Sequence, residues 1–600
     1  MLSVNKYLSR LYFFSIAAVF ICVSNAILLG SLERIYGVFG HYIATSFLLG
    51  WFLFIHRTNK SIVLATFITY LLILIPVYIL AIGRMTDEGV DYKEINRTIS
   101  ECNLSSIILS LVMMSIAICS SRAKHQFIRN IVRFFISALY VIFLLHTLVI
   151  IMYTVIYGVA PSIPSLSSIL QTNIREAYEY IISKGIFIKF AAIALIIATP
   201  FYALTIFNFQ RIHLANKASS LRSTFLIIVI SSFILPNLIL EKAYASYIYL
   251  WRVVHEQYKF KEALDSRAKM FNDLDLNAND AEDGLFVVVI GESLSRDYMS
   301  LYGYDKNTTP WQRSKLSDSY FYRFNNSYSC HVHTMFALSK ALTSMSQYDS
   351  HHVSMADCPS IIEVAKAYGY EVSWISNQSE FGFYEGPQTV IANSASNKIF
   401  LNKHNYDEYS TKSNHYDNIT IPAFKTILNS DAKKRLVFIH LMGQHADYKS
   451  RYPLAFSKWG DENHYINSVL FNDSVIKQLY SLAKDSKDFK AFVYFSDHGE
   501  DISIGHSAEA FTFSMARIPF WISLSEIYAQ ENGGIIQAIN DNLNKPFTND
   551  ILFDILCGLT KMTSNSFYRS RFDITSKDFD LQAEDVMIFN TYKVIDDPIF

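Results

Sequence analysis

Four residue types at three places in this chain could build a metal-assisted reaction centre. Phe286-Val-Val-Val-Ile-Gly-Glu292-Ser293 and Ala491-Phe-Val-Tyr-Phe-Ser-Asp497-His498-Gly499-Glu500 are apolar, β-branched and aromatic runs of strand length. Each ends abruptly in carboxylate and imidazole groups, so each places ligand-type side chains at the carboxyl end of a buried parallel strand. In open α/β sheets that edge is where ligands bind. Oxygen and nitrogen donors of this kind suit zinc. Between the two runs, Ser329-Cys330-His331-Val332-His333-Thr334 offers the Thr334 hydroxyl. A bound metal can lower the pKa of such a hydroxyl and make it a nucleophile. The plain alternatives are that Glu292 caps a helix and that Thr334 caps the helix expected over Met335–Leu342. His445 and His506 fall in loops on the same sheet edge, whereas His440 reads as a packed strand-end histidine.

The elements that position these residues follow from periodicity. Phe286–Ile290, Val372–Ser376, Leu436–His440 and Phe492–Phe495 read as buried strands. Ser360–Tyr368, Ile419–Asn429 and Ile466–Ala483 carry helical spacing. Alternation of this kind predicts an α/β domain, a mostly parallel sheet sandwiched between helices, over residues 285–600.

The chain of 600 residues is 51% hydrophobic and 18% charged, too apolar for a wholly soluble protein of this length. The excess lies before residue 241. Seven uncharged stretches, Leu11–Leu32, Ile35–His56, Ser61–Gly83, Leu104–Ser121, Phe134–Val159, Phe190–Gln210 and Ser223–Leu240, are each about long enough to cross some 30 Å of hydrocarbon as a helix. Residues 1–240 are therefore expected to be a multi-span helical membrane domain of about seven spans. Lys6 and Arg10, Arg57 and Lys60, Arg122 to Arg133, and Arg211 to Arg222 fall on alternate sides and mark the cytoplasmic loops. An odd number of spans puts the α/β domain across the membrane. Residues 241–284 read as an interfacial helix followed by an acidic, turn-rich linker. A formal net charge of −1 gives no reason to expect nucleic acid as a partner. Of the cysteines beyond the membrane, Cys330 and Cys358 could pair.

The strings Gly291-Glu292-Ser293-Leu-Ser-Arg-Asp297, Leu301-Tyr-Gly-Tyr-Asp-Lys-Asn-Thr-Thr-Pro310, His440-Leu-Met-Gly-Gln-His445 with Arg451-Tyr-Pro453, and Ser496-Asp497-His498-Gly-Glu500, in this order, resemble one family. It is that of the membrane-anchored phosphoethanolamine transferases of Gram-negative envelopes, within the alkaline phosphatase and sulfatase superfamily. The resemblance implies an alkaline-phosphatase-like fold and a zinc ion held by Glu292, Thr334, Asp497 and His498, with Thr334 as nucleophile. It implies that His445 and His506 contact the phosphoryl group or a second zinc, and that Asn377 helps to hold the donor headgroup. Phosphatidylethanolamine would be the donor, an envelope glycolipid or glycan the acceptor, and the bacterial inner membrane the location, with the catalytic domain periplasmic. Cys330 fits the family pattern, but the family's cysteines near Lys340 and Glu380 are absent, and His331 and His333 are bulky neighbours for the nucleophile. A phosphoglycerol transferase, a phosphodiesterase with the same metal core and a non-catalytic envelope binding protein are the competing expectations.

Overall fold

The computed structural model describes residues 60–87, 105–116, 125–171, 245–264, 280–348, 354–379, 386–402 and 416–600, with Cys102, Ser266, Arg267 and Lys269. The chain divides into two compact units, Met1–Ile163 with Lys184–Arg252, and Pro164–Ser183 with Val253–Phe600.

In the first unit, helices cover Lys60–Asp87, residues 105–116 and Gln126–Tyr157. Among the described residues Gln126–Tyr157 is long and apolar enough to cross a membrane, and Thr66–Ala81 and Ser105–Ile116 are shorter apolar helical segments. Gln126–Tyr157 starts earlier than the uncharged stretch, because Arg129 and Arg133 are good helix formers and extend it through the basic segment. It stops at Gly158, whose φ of 72° is the left-handed conformation that terminates helices. The expected spans 11–32, 35–56, 190–210 and 223–240 lie outside the described residues. So do residues 272–279 of the expected linker.

The second unit is built on a seven-stranded sheet. Its strands are β1 (Gly284–Gly291), β2 (Phe321–Arg323), β4 (Glu371–Ser379), β5 (Asn397–Asn402), β6 (Lys434–His440), β7 (Phe489–Ser496) and β8 (Phe520–Leu524), in the order β2-β8-β7-β1-β6-β4-β5. A separate short parallel pair joins β3 (Ser327–Tyr328) to β9 (Phe547–Thr548). β7, β1, β6, β4 and β5 run parallel, while β8 is antiparallel to both β7 and β2. The sheet is thus mixed, with its parallel portion holding all four strands expected from the sequence.

β1 is buried along its whole length, as an all-apolar central strand must be. Its side chains alternate between two layers. Phe286, Val288 and Ile290 pack with the helices Ile361–Ala367 and Leu552–Leu559, and Leu285, Val287 and Val289 pack with the helix His464–Lys484. Trp374 stacks on Phe438 at 5.5 Å on one face, and Phe492 on Trp521 at 5.5 Å on the other. Ser360 caps Ile361–Ala367 in a full capping box with Glu363, and buried Arg267 reaches the same carboxylate at 2.9 Å.

Register is what matters for the site. Ile290 lies opposite His440, and Gly291 opposite Ser496, so β1, β6 and β7 end at one level. Glu292, Leu441 and Asp497 therefore emerge side by side, each strand being about 4.8 Å from the next. Phe438→Ala should empty the centre of one layer and lower unfolding stability by about 3–5 kcal/mol. Chemical denaturation of the detergent-solubilised chain, followed by tryptophan fluorescence, measures that loss.

Candidate active site

Glu292 leaves β1 and is 1% exposed, while Asp497 and His498 leave β7 fully buried. Ser293, with φ 55°, turns the chain sharply after β1, and its backbone N–H donates to Asp497 Oδ1 at 3.1 Å. Its hydroxyl donates to Glu292 Oε1 at 2.9 Å. The neighbouring loop after β6 closes against the same place. Gln444 N–H donates to the Glu292 carbonyl at 2.9 Å, and Gly443 sits at φ 52° with no room for a side chain, since a Cβ there would lie 2.6 Å from that carbonyl oxygen.

Thr334 opens the helix Thr334–Ala341, but the N-cap is His333 and no side chain caps the helix. The Thr334 hydroxyl is used elsewhere. It donates toward Glu292 Oε2 at 3.1 Å and lies 3.4 Å from His498 Nε2. The loop bearing it is tied to the end of β7. Ser329 Oγ donates to the Asp497 carbonyl at 2.5 Å, Asn549 Nδ2 donates to the same oxygen at 2.7 Å, and Asn549 Oδ1 accepts from Cys330 N–H at 2.9 Å. Four groups from three places in the sequence are thereby held around one point.

His498 Nδ1 donates to the Gly499 carbonyl at 2.8 Å, which directs Nε2 toward Glu292 Oε1 at 3.4 Å and Asp497 Oδ2 at 3.6 Å. Burial and the adjacent Glu292 charge raise the Asp497 carboxyl to about 7. Against the burial that would raise it, hydrogen bonding and charge from His498 hold Glu292 below the usual carboxylate range. His498 is raised to about 10; burial opposes this, and the two carboxylates overcome it. Two carboxylates out of water thus demand positive charge beside them. Asp497 Oδ2 is buried with no hydrogen-bond partner, and the ligand atoms of Glu292, Asp497 and His498 lie within 4.8 Å of one another. An orphan carboxylate oxygen among hard and borderline donors fits a divalent cation such as zinc.

His506 lies beside this cluster, its ring centroid 4.4 Å from that of His498, and its Nδ1 meets Glu500 Oε2 at 2.6 Å. His333 lies 5.8 Å from His506 and meets Ser165 Oγ at 3.4 Å. His331 is wedged between Phe336 and Phe589, each at 4.7 Å, and its Nδ1 accepts from His333 N–H at 3.1 Å. His445 sits on the half-buried loop after β6, beyond Gly443, where its carbonyl accepts from Arg451 Nε at 3.1 Å. Asn377 is buried near the end of β4. Its Nδ2 donates to Asp417 Oδ1 at 2.8 Å, and Asp417 in turn accepts from the N–H groups of Met442 and Gly443. This chain of bonds links Asn377 to the loop against Glu292. His440 is packed edge-on to Trp374 at 6.0 Å, and burial lowers it to about 4. Cys330 is a buried free thiol, so the pairing with Cys358 is not formed; the Cys358 thiol contacts the Ser354 carbonyl at 3.6 Å.

Ser329, Asn549, Asp417 and Glu500 are the site-building residues that sequence reasoning left without a role. Only Glu500, in the Asp-His-Gly-Glu string, carried any signal.

With this geometry in place, comparison with known proteins gives a consistent result. Residues 285–556 match the sulfatase family. The chain is 30% identical over 314 residues to phosphoethanolamine transferase EptC of Escherichia coli strain K12, covering 46% of this chain and 52% of that protein. It is 28% identical over 309 residues to phosphoethanolamine transferase CptA of Salmonella typhimurium, covering 46% and 52%. The chain therefore spans about half the length of the curated relatives it matches. The solved structure of the integral membrane protein lipooligosaccharide phosphoethanolamine transferase A, EptA, from Neisseria meningitidis matches with a TM-score of 0.56 at 17% identity, over 86% of this chain and 98% of that one. The likeness shows a shared fold.

Gly443→Ala forces both a left-handed alanine and a clash with the Glu292 backbone. We expect a loss of at least about 2 kcal/mol in unfolding stability, read in thermal melts of the full chain.

Proposed function

We propose that the chain is a zinc-dependent phosphoethanolamine transferase of a bacterial inner membrane. The observation that carries this reading is the Thr334 hydroxyl, 3.1 Å from Glu292 Oε2 and 3.4 Å from His498 Nε2, beside the orphan oxygen of Asp497. The names of the matched relatives support the transferred group. In this reading residues 1–240 form about seven spans, 241–284 an interfacial helix and linker, and 285–600 the periplasmic catalytic domain. A membrane tether suits a reaction whose donor, phosphatidylethanolamine, and leaving group, diacylglycerol, are both lipids.

Glu292, Asp497, His498 and Thr334 would hold the zinc. When bound, it supplies a Lewis acid for the phosphoryl oxygen and lowers the pKa of the Thr334 hydroxyl. Thr334 Oγ1 attacks the donor phosphorus, the bond from phosphorus to the diacylglycerol oxygen breaks, and the hydroxyl proton ends on that oxygen. Phosphoethanolamine is then an ester of Thr334. In the second half-reaction a hydroxyl or phosphate of an envelope glycolipid or glycan attacks that ester and restores the threonine. Glu292 and Asp497 remain ionised throughout. His445 and His506 stabilise charge on the transferred group or shuttle a proton, and Asn377 helps to hold the headgroup. The buried carbonyl bonds from Ser329 and Asn549 keep Thr334 aligned on β7.

Thr334→Ala should abolish the covalent phosphoethanolamine adduct seen by intact-protein mass spectrometry, whereas Thr334→Ser should retain it. An adduct of unchanged yield in the alanine variant removes the mechanism. Purified full-length protein should carry zinc, and Asp497→Asn should lower the bound metal at least tenfold, measured by elemental analysis after gel filtration. Chelation should stop adduct formation and added zinc restore it.

A further inference from the structure

The sequence Asp497-His-Gly-Glu500 places a second carboxylate two residues beyond the metal-type ligands, and its surroundings give it a distinct task. Glu500 is 2% exposed. Its two carboxylate oxygens are each committed to a different side chain. Oε2 meets His506 Nδ1 at 2.6 Å, and Oε1 accepts from the Tyr448 hydroxyl. The backbone delivers these partners. The turn Asp501–Gly505 reverses the chain, closed by Gly505 N–H to the Asp501 carbonyl at 2.7 Å with Gly505 at φ 90°, and brings His506 back beside Glu500. Ser514 Oγ donates to the Glu500 carbonyl at 3.1 Å.

Tyr448 comes from the other side of the site, on the segment that follows His445. Its ring packs edge-on to Tyr465 at 5.0 Å. The Tyr465 hydroxyl donates to the Ser293 carbonyl at 2.8 Å and accepts from Ser295 N–H at 3.0 Å, so it grips the turn that carries Glu292. A continuous path of contacts therefore runs from the Glu292 turn through Tyr465, Tyr448 and Glu500 to the half-buried His506.

A carboxylate that accepts from one imidazole nitrogen fixes the tautomer and the ring plane, leaving the other nitrogen as an aimed lone pair. We infer that Glu500, held by Tyr448, is a positioning residue that fixes His506 with Nδ1 protonated and Nε2 left as the nitrogen that takes up and returns a proton during the transfer. This deepens the transferase reading and rests on it. His506 is 24% exposed at its side chain whereas Glu500 is 3% exposed, so the imidazole can meet substrate and the carboxylate acts only through it. The rival arrangement is a second metal shared by His498, Glu500 and His506, whose ligand atoms also lie within 4.8 Å of one another.

A double-mutant cycle on the full-length protein separates these cases. The rate of adduct formation is measured with phosphatidylethanolamine in mixed micelles, alongside zinc per chain. Glu500→Ala and His506→Ala should each slow the reaction about 100-fold, with half-saturating donor changed by less than about threefold. The double variant should be no slower than His506→Ala alone, and Glu500→Gln, which still accepts from Nδ1, should recover at least about tenfold over Glu500→Ala. Zinc per chain should stay at the wild-type value in all of them. Multiplicative losses in the double variant, or loss of a zinc equivalent in Glu500→Ala, overturn the inference. A wild-type protein that forms no adduct at all overturns the transferase reading, and the role of the pair falls with it.

Discussion

Glu292 and Asp497 stand at the ends of adjacent parallel strands, excluded from water and close enough that the Glu292 charge raises the cost of ionising Asp497. Continuum reasoning makes two such charges untenable without a cation between them. His498 stands beside both, with Nδ1 bonded to the Gly499 carbonyl and Nε2 facing the two carboxylates. A divalent ion held among these groups would supply the charge, with the imidazole as a neutral ligand. The rest of the site gathers around this one constraint, with the Thr334 hydroxyl meeting Glu292 and His498.

The sheet order makes the convergence possible. Placing β1 between β6 and β7 brings three strand ends to one level, so that the turn after β1, the loop after β6 and the Asp-His pair after β7 share one edge. The fourth contribution, Thr334, comes from a loop outside the sheet. It is located by bonds to a backbone carbonyl, with Ser329 and Asn549 both spent on the Asp497 oxygen. Such bonds leave the side chains of Glu292, Asp497 and His498 free of that task, so the fold itself places the Thr334 hydroxyl.

The sequence made parts of this arrangement readable and hid others for identifiable reasons. The ligands after β1 and β7 were legible because an unbroken apolar run ending in charge has few other uses in a large α/β domain. β4 and β6 were legible for the same reason. β5 was not, since its first two residues are exposed at the sheet edge and carry no alternation. β2 has only three residues, too few for a period to register. Asn549 looks like an ordinary turn residue in Thr548-Asn549-Asp550. Its role exists only through contacts with Cys330 and Asp497, which no local pattern encodes. Asn377 was assigned by resemblance to the donor headgroup, and the structure adds that its amide bonds Asp417, which supports the Gly443 loop. The resemblance to one family carried Thr334 further than its local sequence could, because a threonine opening a helix is ordinarily a cap.

The central claim is that Glu292, Thr334, Asp497 and His498 close around a single ion. Zinc-edge X-ray absorption of the zinc-loaded, full-length protein tests it most directly. The account predicts one first shell of about four oxygen and nitrogen donors near 2.0 Å, with the outer-shell scattering of one imidazole and no sulfur. A sulfur-containing shell, or one with two or more imidazoles, would place the ion elsewhere and contradict the account.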